Sequence, residues 1–167
     1  MTDLPIFLSS VVEGPLDETV VRRLTEEAGL ALGPVHVKNG KDQIRLHLSG
    51  YNNAAHRAPW LVLVDLDDKE CAPGLRGHWL PEPAPWMCFR IAIRSVESWL
   101  LADVEGISGF LSIDPARVPP VPEMEIAPKR TLVELARQSR DPKIRRDLAP
   151  SPGSRRGRSV RHIRPVW

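Results

Sequence analysis

The sequence predicts an α/β fold, a mostly parallel sheet flanked by helices in the Rossmann-like manner. Two observations carry that expectation. Short apolar or alternating runs, PIFLSSVV, PVHV, WLVLV and FRIAIR, have strand character. Between them lie stretches of helical periodicity, and strands alternating with helices argue for parallel pairing. A length of 167 residues with 42% hydrophobic and 26% charged side chains suits one domain with a sizeable core.

The first strand spans Pro5 to Gly14 and ends at a Glu-Gly corner. In PLDETVVRRLTEEAGL, Val20, Val21, Leu24 and Ala28 fall on one predicted helical face. Pro15 and the acids Asp17 and Glu18 suit a first helical turn, where a missing N–H costs nothing and negative charge is favoured. Gly29 marks its stop. PVHVKNG is a second short strand, and KDQIRLHLSGYNNAAHRA is helical or irregular, interrupted at Gly50. Trp60 to Val64 form the third strand, PGLRGHWL a short helix and PEPAP a stiff connector. In FRIAIR, Phe89, Ile91 and Ile93 alternate with Arg90, Ala92 and Arg94. From Ser95 a helix groups Val96, Trp99 and Leu100.

After Asp114 the composition shifts, with nine of the 17 prolines from Pro115 onward and one further helix expected near Lys129 to Ser139. The expected organisation is an α/β core over 1–114, a Pro-rich linker with a packed helix over 115–142, and a basic, flexible tail over 143–167. From Lys143 the chain carries eight Lys/Arg against one acid, +7, whereas the preceding 142 residues hold 15 basic and 20 acidic groups, −5. Such a tail can neutralise phosphates and hold nucleic acid near an acidic body, or serve only as a solvated terminus.

No apolar run approaches a membrane span, and the start, MTDLPIFLSSVVEG, lacks the basic region of a signal peptide. Two cysteines, Cys71 and Cys88, make no disulfide framework, so a cytoplasmic setting with reduced thiols is expected. The one Gly-Lys, Gly40-Lys41, lacks the remainder of a P-loop. Cys71, His78 and Cys88 lack paired zinc-ligand spacing, and no G-x-S-x-G elbow is present.

Carboxylates remain. Glu13 ends the first predicted strand, and Asp65, Asp67 and Asp68 crowd the end of the third. In a parallel sheet, ligands bind beyond the carboxyl ends of strands, which brings both groups to one edge. Carboxylates gathered there repel one another unless a hard divalent cation, Mg²⁺ or Mn²⁺, neutralises them. Asp17, four residues after Glu13, lies one helical turn along. The competing account of the triplet is turn chemistry, which also selects Asp. Glu97 falls between Leu100 and Leu101 in helical projection, so it needs a partner, either Arg94 at i−3 or a metal.

Together these residues resemble the TOPRIM domain, the metal-binding module of type IA and II topoisomerases, DnaG-type primases and OLD-family nucleases. The E-G-x-x-D of that domain reads EGPLD (Glu13 to Asp17) here, and its D-x-D reads DLD (Asp65 to Asp67). More narrowly, VVEGPLDE, GYNNAA, WLVLVDLDD followed by CAP, and FRIAIRSVESWLLAD are similar to the TOPRIM-like DUF4276 family of bacterial proteins, from about Ile6 to Pro152. The resemblance implies a metal-dependent nuclease or related phosphotransfer enzyme acting on DNA or RNA, in bacterial defence or repair. Glu13 would be the general acid/base or a metal ligand, Asp65 and Asp67 would hold Mg²⁺ or Mn²⁺, and Asp17 would contribute. Glu97, with Arg94, matches a later family block, and Arg90 or Arg94 would support developing negative charge. Asp68 is the expected bystander. The chain departs from D-x-D-x-D in having Lys69 after Asp68, and its end, RRGRSVRHIRPVW, departs from the family pattern as a truncated or frame-altered terminus would. The rival expectation is a non-catalytic binding or assembly module partnering an ATPase. No membrane association is expected, and oligomeric state is open, a homodimer included.

Overall fold

The computed structural model of the chain describes residues 6–67 and 71–149. The chain divides into two compact units at Ala92/Ile93, earlier than the change of composition after Asp114.

The first unit is an α/β fold around a four-stranded, all-parallel sheet in the order β2-β1-β3-β4. Its elements are β1 (Phe7–Val12), α1 (Pro15–Glu27), β2 (Ala31–Val37), α2 (Lys41–Ala54), β3 (Trp60–Asp65), α3 (Ala72–Trp79) and β4 (Met87–Ala92). Successive residues of a strand point to opposite faces. On one face Val11, Val62, Val64 and Phe89 form a core with Ile44 and Leu48 of α2 and with Leu80. Tyr51 and His36 both stack on Trp60 at its margin. The alternate residues Val12 and Leu63 are equally buried and point to the other face. Burial of these side chains on both faces is what makes a near-continuous apolar run such as WLVLV a strand of a parallel sheet.

α1 differs from the expected pattern in its buried face. Leu16, Asp17, Val21 and Thr25 are buried, whereas Leu24 is 49% exposed. The buried set repeats at four- and five-residue steps from Leu16, so the face starts at the first turn. There Asp17 accepts a hydrogen bond from the Gly14 amide at 3.1 Å and caps the helix. Thr25 satisfies its hydroxyl on the Val21 carbonyl at 2.9 Å.

α2 runs unbroken through Gly50, where the sequence pattern predicts an interruption. Gly50 has open space around it, and Ile44 and Leu48 anchor the helix to the sheet, so tertiary burial outweighs the glycine's weak propensity. Strand β2 begins at Ala31, three residues before the expected PVHV, because it pairs with β1 from Phe7↔Ala31.

The second unit contains α4 (Val96–Ala102), α5 (Val104–Leu111), α6 (Pro128–Arg137) and α7 (Pro142–Leu148), with short 3₁₀ turns at Pro115–Arg117 and Pro122–Met124. α6 packs on both α4 and α7, burying Leu132, Leu135 and Ala136. The helix expected from Ser95 is α4, and a second helix that the pattern does not announce, α5, follows at once; the Asp103 carboxylate between them caps α5 through the Gly106 amide at 3.0 Å. Trp99, expected on the apolar side, is 37% exposed, and Leu101 is buried instead. The basic segment begins as a helix rather than a tail, since α7 buries Leu148. Residues 150–167, and with them most of the tail, lie outside the described residues.

Candidate functional site at the carboxyl edge of the sheet

The chain leaves β1 toward β2 on one side, while β3 lies on the other side of β1. Connections diverge there, and the crevice outside the carboxyl ends of β1 and β3 is the place where open α/β sheets bind ligands. Glu13 follows β1 directly and Asp65 is the last residue of β3. The backbone amide of Asp65 donates to Glu13 Oε1 at 2.7 Å, a bond that spans the two strand ends. The expected meeting of the EGPLD and DLD segments is therefore a direct one, made by the main chain of Asp65 and the side chain of Glu13.

Glu13 is pushed up from 4.5 to about 7. Burial is the largest cause, opposed by the hydrogen bond from Asp65, while the carboxylates of Asp17 and Asp67 raise it further and the Lys41 ammonium lowers it. Asp17 and Asp67 thus both act on Glu13 through space. Asp67 has a positive φ of 59°, a left-handed conformation that turns the chain sharply as it leaves the strand. Asp68 lies outside the described residues.

Lys41 is the site residue that sequence reasoning passes over. It is the first residue of α2, and its Nζ lies 2.5 Å from Asp67 Oδ2, 3.3 Å from the Leu66 carbonyl and 3.5 Å from that of Asp65. The Gly40 amide donates to the Glu13 carbonyl at 3.3 Å, which ties the start of α2 to the end of β1. Its signal in the sequence is a Gly-Lys at a helix start, a pattern that points to no partner once the rest of a P-loop is missing.

Arg94 and Glu97 belong to the second unit. Arg94 has φ 62° and donates from Nε to the Glu123 carbonyl at 3.0 Å, and Glu97 is a buried residue of α4. Arg90, in β4, donates to its neighbour's carbonyl, that of Phe89, at 3.3 Å. With Arg76, Leu80, Phe89 and Ile91 it lines an open groove of about 620 Å³ beside α3. Cys71 and Cys88 are free thiols, and Cys71 Sγ accepts from the Gly74 amide to cap α3.

The donor chemistry around Glu13 fits a hard divalent cation, being oxygen only: the carboxylates of Glu13, Asp17 and Asp67 and the carbonyls at the end of β3. Among the described residues, however, no three His, Cys, Asp or Glu side chains stand close enough together to form a ligand set as they are placed. Asp17 is engaged as a helix cap and Asp67 as the partner of Lys41. No helix among the described residues is long and apolar enough to cross a membrane. Comparison with protein-family models, with curated proteins and with solved structures returned no match.

Proposed function

We propose that this chain is a divalent-cation-dependent nuclease, or a related phosphotransfer enzyme, acting on nucleic acid at the Glu13–Asp65–Asp67 edge. The observation that carries the reading is the Glu13 carboxylate held on the Asp65 amide at the switch point of a parallel sheet. A carboxyl poised near neutrality is matched to moving a proton at working pH. The Asp65 amide holds Oε1 of Glu13 by a 2.7 Å hydrogen bond, which orients the carboxyl that would move the proton. Asp65 and Asp67, with Asp17, would hold Mg²⁺ or Mn²⁺, which when bound supplies Lewis-acid polarisation of a phosphoryl oxygen. Arg76 and Arg90, on the groove beside α3, suit the phosphates of a polymer.

The test is cleavage of plasmid, single-stranded DNA and RNA with Mg²⁺ or Mn²⁺. Loss of an acid/base group costs about 10²- to 10⁴-fold in rate, so Glu13→Gln should lower cleavage by that order. Asp67→Asn should lower it too, and cleavage that survives both substitutions would remove the site. The second reading is a non-catalytic binding or assembly module that partners an ATPase; the Lys41–Asp67 pair, which already neutralises part of the acidic edge, is compatible with an edge that does no chemistry. Absence of cleavage together with no cation-dependent rise in Tm would select it.

A further inference from the structure

Lys41 has no part in the reaction described above, yet its surroundings are specific. Its Nζ meets three oxygens at the end of β3, namely Asp67 Oδ2 at 2.5 Å and the carbonyls of Leu66 and Asp65 at 3.3 and 3.5 Å. An ammonium has three N–H donors, so this set uses its whole capacity. One carboxylate oxygen with two main-chain carbonyls is also the ligand chemistry of a hard cation. Two unusual backbone positions shape the arrangement. Asp67 takes φ 59°, and Gly40, at φ 122°, sets the start of α2 with its amide on the Glu13 carbonyl. The lysine side chain is 27% exposed, so its charge is partly withdrawn from solvent.

We infer that Lys41 is a tethered counter-ion seated in a cation cradle made by the Asp67 carboxylate and the carbonyls of Asp65 and Leu66, so that a divalent cation takes those oxygens only by displacing the ammonium. The inference rests on the cation-dependent reading given above and adds the residue that sets the ion's affinity. Its physical basis is competition. The ammonium acts on Glu13 in the opposite sense to the Asp17 and Asp67 carboxylates, so it already offsets part of the charge that a cation would offset. A divalent ion arriving at the same oxygens would meet a like charge a few ångströms away, and that repulsion weakens its binding.

The test is Mn²⁺ binding to the full chain, followed by the EPR signal of free Mn²⁺ at fixed ionic strength. Lys41→Met keeps the apolar stem and removes the charge, and Lys41→Gln is the second variant should the first fail to fold by circular dichroism. Removing the competing charge should tighten Mn²⁺ binding by about tenfold or more over the wild type. Lys41→Arg, which retains the charge, should show no such gain, and adding Asp67→Asn to Lys41→Met should abolish it. Equal affinity in wild type and neutral variants, or weaker binding in the variants, would overturn the inference while leaving a cation site in place. Absence of Mn²⁺ binding in every protein would instead overturn the cation-dependent reading, and this inference with it.

Discussion

At Glu13, burial and two neighbouring carboxylates outweigh a hydrogen bond and an ammonium, so the folded chain holds this proton up to about pH 7 rather than 4.5. The sign of the linkage follows. A carboxyl that binds its proton more tightly folded than unfolded contributes stability that is complete below about pH 4.5 and is lost as pH rises through about 7. Measured in EDTA, Glu13→Gln should therefore gain Tm relative to wild type as pH is raised across that window. A difference that stays constant with pH would show that Glu13 is not protonated there in the folded chain. Asp17 illustrates how one residue serves two accounts. Its spacing from Glu13 suggests a ligand, and its hydrogen bond to the Gly14 amide shows it capping α1. A carboxylate at the third position of a helix is placed to cap it, and here that position lies beside Glu13 because the helix begins at the strand end.

At the level of elements, the start of α2 determines the site as much as the strands do. Gly40 at φ 122° has open space where a Cβ would stand, so substitution there meets backbone strain without a clash. Gly40→Ala should cost about 1–3 kcal/mol, read as a lower denaturation midpoint at unchanged m-value. It should also disturb the interactions of Lys41, since Lys41 follows directly. α2 also shows why local pattern misjudges an element. Gly50 is a poor helix former, but two residues before it Leu48 is buried in the core cluster, and burial of that kind exceeds the roughly 1 kcal/mol preference against glycine. The opposite failure occurs after Ala102, where α5 follows α4 unannounced and Asp103 stands between them as the cap of α5. An N-capping aspartate inside an apolar stretch looks like an ordinary polar position until the backbone amide it serves is known.

For the whole molecule, the chain's charge asymmetry bears on how it would meet a polyanion. Residues 150–167 carry five arginines and no acid, a charge that would attract a polyanion. Removing them should weaken binding to single-stranded nucleic acid and flatten its salt dependence, by about 0.7 in log–log slope for each phosphate no longer neutralised. Filter binding or fluorescence anisotropy at several salt concentrations reads both quantities. An unchanged slope would assign polyanion binding to the body of the chain, where Arg76 and Arg90 line the groove beside α3.

The sequence by itself determined the fold class and the edge at which the acids gather. Alternation of strand and helix periods dictates parallel pairing, parallel pairing sends every strand end to one side, and Glu13 and Asp65 stand at two of those ends. Tertiary structure alone decided how the acids are neutralised. The order β2-β1-β3-β4 makes neighbours of β1 and β3, Glu13 lies 52 positions from the residue whose amide donates to it, and Lys41 reaches Asp67, in the turn after β3, from the start of α2. Such meetings have no periodicity to betray them. They depend on strand order, on a left-handed turn at Asp67 and on where α2 begins, none of which leaves a repeat in the residues that meet.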